Sequence, residues 1–155
     1  MYQPSVPVFR HYLARVAEMV EKAGPDAMTF RIADAFPAGQ QFATAAGFAL
    51  RIACPLAGRE VPSLPQALGP RLAVARAMLG AMSPVEFDGA ETRLIRHTAG
   101  LAKLEQTGAD FLYLYGLPNF FFHLTMGYGA LRAAGVPLGK GDFDGFHAYP
   151  EGFAV

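Results

Sequence analysis

The chain is 155 residues long, 52% hydrophobic and only 17% charged, with one cysteine and no tryptophan. That length suits one domain over residues 1–155, large enough to bury its own core, and lone Cys54 excludes an internal disulfide framework. Thirteen basic residues balance thirteen acidic ones, which leaves no net field to draw the chain to nucleic acid or to an anionic membrane.

Charge at 17% falls below the roughly 25% usual for soluble domains, so a partner is expected to cover part of the surface. The first residues, Met1 to Pro7, show neither a basic n-region nor an apolar h-region, which argues against a secretory signal. Between Asp110 and Arg132 no charged residue occurs, and that length alone would permit a membrane span. Pro118, Asn119, His123 and three glycines make lipid a costly surrounding, so this stretch reads as a buried helix of a soluble protein.

In chain order, Val6, Phe9, Leu13, Val16 and Val20 recur at spacings of 3 and 4, the apolar stripe of an amphipathic helix. Ser5 is its expected N-cap, Pro7 falls in the tolerant first turn, and Gly24-Pro25 stops it. A second helix is expected from about Pro37 to Cys54, with Pro37 in its first turn and Pro55 and Gly58 ending it. Phe42, Ala45, Ala49 and Ile52 form its stripe, and Phe48 widens the apolar surface. Arg51 is the only charged residue from Ala35 through Gly58, so this helix should be buried on more than one side.

The third helix has two possible starts, at Leu64 after a Ser63-to-Gln66 capping box or at Pro70. Leu72, Ala75, Leu79 and Met82 form its stripe. Residues 92–106 read either as helix, through Leu94, Thr98, Leu101 and Leu104, or as a short β-hairpin turning at Ala99-Gly100. Phe111 to Leu117 gives a helical turn or two before a last helix near Leu117 to Ala134, which Pro118 starts or kinks and Gly135 ends. Residues 136–155, rich in glycine and proline, are expected to form an irregular tail.

The C-terminal third carries a recognisable pattern. Leu117-Pro118-Asn119-Phe120-Phe121-Phe122-His123 leads to Tyr128 and Leu131-Arg132, followed by Gly135-Val136-Pro137-Leu138-Gly139-Lys140, Asp142-Phe143 and Gly145. This resembles the bacterial domain-of-unknown-function family numbered 1993. Ser5 to Phe9, Lys22-Ala23, Arg31-Ile32-Ala33, Phe36-Pro37 and Leu56-Ala57-Gly58 agree, so the likeness spans essentially the whole chain. It implies an all-α, up-and-down four-helix bundle of the DinB/YfiT-like kind, and it favours the hairpin reading. Many DinB-like relatives hold a divalent metal through three histidines, and some are thiol-dependent transferases. The chain departs from the family at Ala45-Ala46-Gly47 and Ser63-Leu64-Pro65-Gln66, where acidic residues are usual.

Four histidines are present, His11, His97, His123 and His147, and no two share a helix. The position four after His123 is Gly127, so the spacing of a metal-binding pair is missing. His123 follows three phenylalanines on a buried helix and reads either as a core histidine held by hydrogen bonds or as a ligand-binding group. Asn119 lies four before it and Tyr115 four before that, which sets them on one face, and Tyr128 could add a second hydroxyl. Gly139-Lys140-Gly141-Asp142 follows a helix, unlike a phosphate loop, and reads as a turn docking the tail through Asp142. Cys54, at a helix C-terminus, has no reason to be a nucleophile.

The expected protein is therefore a cytoplasmic homodimer that binds a small molecule. Its pocket gathers Tyr115, Asn119, His123 and Tyr128, and it requires no metal or other cofactor. The alternative is a divergent DinB-like metalloenzyme acting on a thiol through His123.

Overall fold

The computed structural model describes residues 1–150; the end of the expected tail, Glu151 to Val155, lies outside the described residues. Helix α1 (Val6–Ala27) buries Val6, Phe9, Leu13 and Val16 as the periodicity predicts. The stripe then continues through Met19, and Val20 beside it is only half-buried. Ser5 does not cap α1. Its hydroxyl turns back to donate to the carbonyls of Met1 and Tyr2 at 2.8 and 3.2 Å. Gly24-Pro25 kinks α1 without ending it, because Gly24 adopts φ 71° and Pro25, with its preset φ, opens one further turn.

Helix α2 (Ala38–Leu56) begins just after Pro37, whose carbonyl accepts from the Gln41 N–H at 2.9 Å. It lies at the centre, packed against α1 and against the two later helices described next. Most of its residues are buried, as expected of a helix carrying only one charge. Helix α3 (Leu68–Gly80) starts between the two expected positions, with Pro70 inside its first turn, and turns Leu72, Ala75 and Leu79 inward.

Residues 94–107 form a hairpin, not a helix. Strands β1 (Leu94–Ala99) and β2 (Ala102–Thr107) pair antiparallel, from Leu94 opposite Thr107 to Ala99 opposite Ala102. Gly100 takes φ 59° in the two-residue turn, a conformation cheap only for glycine. Ile95 packs inward and the His97 ring lies against Phe111 at 4.9 Å, while most other side chains of the hairpin are exposed.

Helical backbone resumes at Gly108–Asp110, widens into a π-helical stretch at Phe111–Gly116, and continues as α4 (Leu117–Ala133). Gly135, at φ 85°, ends it, and the Val136 N–H reaches back to the Leu131 carbonyl at 3.0 Å. The expected irregular tail contains a short helix, α5 (Lys140–Asp144), which docks on α1 through a Lys22–Asp142 ion pair.

The core joins Phe9, Phe42, Phe111 and Phe120, all essentially inaccessible, with the Phe9 and Phe120 rings 4.8 Å apart. Gly127 lets α4 approach α2 closely, for a Cβ there would sit 2.6 Å from the Phe42 ring. Among the described residues no helix is long and apolar enough to cross a membrane.

Candidate functional site

Pro118 has no N–H to donate and its ring crowds the preceding turn, so backbone carbonyls around it need other partners. The wide π turn lies just before it. The Leu117 N–H reaches the Leu112 carbonyl, and the Asn119 side-chain amide donates to the Tyr115 carbonyl at 2.7 Å. Asn119 is thereby committed to its own helix.

His123 faces α2. Its Nδ1 lies 2.7 Å from Gln41 Oε1, while the Gln41 amide nitrogen donates to the Phe36 carbonyl at 3.4 Å. Because that amide oxygen can only accept, Nδ1 carries the imidazole proton and Nε2 holds a lone pair. Nε2 makes no hydrogen bond with a described residue and is not fully buried. Burial, aided by the charge of Arg51, holds the His123 pKa below its ordinary value, so the ring is neutral near pH 7.

The imidazole stacks on Phe48 at 5.4 Å, and the Arg51 guanidinium lies against Phe48, 4.0 Å from the ring centre. Tyr115 completes the aromatic wall, 6.0 Å from Phe48 and 4.3 Å from His97 of the hairpin. Tyr128 is not brought to this site. Five residues beyond His123 it points elsewhere, its ring 5.3 Å from Phe143 and its hydroxyl accepting from Arg132 at 3.5 Å. Of the four residues the sequence singled out, His123 and Tyr115 therefore line one wall, Asn119 serves the helix between them, and Tyr128 lies apart.

Sequence reasoning missed Gln41, Phe48 and Arg71, and noticed Arg51 only as a lone charge. A polar residue and a single arginine on an otherwise apolar helix were the available signals. Gln41, Phe48 and Arg51 lie at spacings of 7 and 3 on α2, which places all three on the side facing His123.

Beyond Arg51 opens a cavity of about 320 Å³ between α2, the 61–67 connection and α3. Arg51, Arg71, Thr44, Gly47, Val61 and Leu64 line it. Arg71 is fixed by donating to the Pro65 carbonyl at 2.7 Å and the Ala43 carbonyl at 3.2 Å. The Thr44 hydroxyl is turned to the Gln40 carbonyl at 2.8 Å. A larger groove of about 640 Å³ between α1 and α3, lined by Arg10, His11 and Arg76, holds none of the residues around His123.

The donor set does not fit a three-histidine metal site. His11 bonds the Asp144 carbonyl at 2.7 Å, His97 bonds Gln106 at 2.7 Å, and His147 pairs with the Asp144 carboxylate. Among the described residues no three His, Cys, Asp or Glu side chains converge to hold an ion. Gly127, where a second helical ligand would stand, is required instead by the Phe42 ring. Cys54 is buried, and that burial pushes its thiol pKa up, away from nucleophilic use.

A family model described as "Domain of unknown function (DUF1993)" matches residues 1–144. Among solved structures, the chain is similar to a DinB family member protein from Shewanella denitrificans. The TM-score is 0.83 at 27% identity, over 99% of this chain and 95% of that one. No curated protein matches the chain.

Proposed function

The chain belongs to the DUF1993 family, and from that premise we propose that it is a small-molecule-binding protein, an up-and-down four-helix bundle in one domain. Its ligand site is centred on His123, where α2 crosses α4. The supporting observation is the half-used imidazole: Gln41 fixes Nδ1, and Nε2 keeps an open lone pair beside Phe48 and Tyr115. Here one nitrogen sets the tautomer and the other is presented as an acceptor on an aromatic wall, the arrangement of a few placed polar groups on apolar surface that ligand sites use.

The test follows the His123 ring resonances by NMR while phenol, benzamide, benzoate and benzylamine are titrated into the full chain. At least one should shift them saturably, and the effect should vanish in His123→Ala and weaken strongly in Gln41→Leu. Ring resonances that none of the four compounds moves would overturn the reading.

A further inference from the structure

We propose that the cavity between Arg51 and Arg71 is an anion site, taking the carboxylate or phosphate of a small organic molecule whose apolar body lies against Val61 and Leu64. The inference rests on the small-molecule reading above and names its ligand class.

Two guanidinium groups from different helices converge on one point. A Cβ placed on Gly47 would lie 3.8 Å from Arg71 Nη1 and 3.9 Å from Arg51 Nη2. Like charges held this close call for a counter-charge, yet among the described residues neither arginine has a carboxylate within ion-pair distance. Both side chains are already placed: two carbonyls anchor Arg71, and Arg51 rests on the Phe48 ring. Arg51 makes no hydrogen bond with any described residue, so its planar fork of donors is available to an oxyanion, which it matches in shape. Partial desolvation pulls the Arg51 pKa below its ordinary value, Tyr115 opposes that, and the Arg71 charge adds to it.

Gly47 supplies an independent argument. Glycine in a helix interior is unfavourable relative to alanine, and at Gly127 packing explains it. At Gly47 packing does not, because an added Cβ would meet only the two guanidinium nitrogens, at ordinary contact distance. The missing side chain leaves buried backbone lining the cavity between two cations, where an added methyl would take up room.

The experiment titrates phenyl phosphate, benzoate and uncharged benzamide into the full chain, reading the Gly47 amide and Arg51 Nε–H resonances. Saturable shifts with one or both anions, and binding of benzamide weaker by about tenfold or more, are expected. Binding by phenyl phosphate alone assigns a phosphate ligand, and by benzoate alone a carboxylate. Arg51→Gln should weaken the anions by about tenfold or more. Gly47→Ala should weaken them while raising the denaturation midpoint, which separates lost binding from lost folding. Benzamide binding as well as the anions do, or Arg51→Gln leaving their affinity unchanged, overturns the anion site. If the anions fail while a neutral fragment still moves the His123 ring, only the ligand class falls; if nothing moves that ring, the site reading falls with it.

Discussion

His123 links stability to acidity in a direction its surroundings fix. Its pKa in the folded chain lies below the ordinary 6.5, chiefly through burial and secondly through Arg51. The unfolded chain then binds more protons as the pH drops, so the contribution of the neutral ring is full above 6.5 and is lost on acidification below it. Chemical denaturation at pH values on either side of 6.5 should show the wild type losing stability that His123→Phe does not. Parallel pH profiles for the two proteins would contradict this. At the same scale, the sequence made His123 visible because an imidazole after three phenylalanines is conspicuous. Its partner Gln41 stands 82 residues away, and nothing in local periodicity says which buried amide meets which ring. Asn119 shares a face with His123 by spacing, as read. Its side chain is taken by the Tyr115 carbonyl one turn back, a partner that composition does not display.

Among the elements, Gly127 and Gly47 are chemically identical residues with opposite prospects. An alanine at Gly127 would drive a methyl to 2.6 Å from the Phe42 ring, so Gly127→Ala should cost about 1–3 kcal/mol and lower the denaturant midpoint at unchanged slope. An unchanged or raised midpoint would show that α2 and α4 have room to separate. The long helices were legible because their stripes repeat every three or four residues, whereas the residues of 92–106 left helix and hairpin open and only the family resemblance favoured the hairpin. The boundary details were not legible. Ser5 has the chemistry of a cap but finds nearer acceptors in Met1 and Tyr2. Gly24-Pro25 has the chemistry of a stop but restarts the helix in a new direction. The tail looked structureless because five residues are too few for a periodic signal, and α5 is held by contacts to α1 that lie far away in sequence.

For the whole molecule, the charge deficit divides between two destinations. Arg51 is the only charge on α2, and most of that helix is absorbed into the core. The uncharged stretch from Phe111 onward is not fully absorbed. Leu114 and Phe122 are 69% and 57% exposed, and with Pro118 between them at spacings of four they form an outward apolar stripe. A homodimer that joins these stripes is the expected assembly. Light scattering at micromolar concentration should give twice 16.6 kDa, and Phe122→Glu should return it to a single mass. A wild-type protein that already scatters as 16.6 kDa contradicts the dimer.

The wide turn at Phe111–Gly116 has a consequence for phase. Leu112, Gly116, Phe120 and Leu124 are all buried, at successive spacings of four. In a uniform α-helix each such step overruns the 3.6-residue turn by about 0.4 residue, so the four would wind away from one another around the axis. A stretch whose bonds span five residues absorbs part of that overrun and keeps the series aimed at α2. It acts as a gear between two halves of one long helix. On one side it sets where Phe111 and Tyr115 meet the hairpin, and on the other where His123 meets Gln41. One residue removed there would turn the halves by about 100° against each other, so the hairpin side and the α2 side could no longer share one aromatic wall.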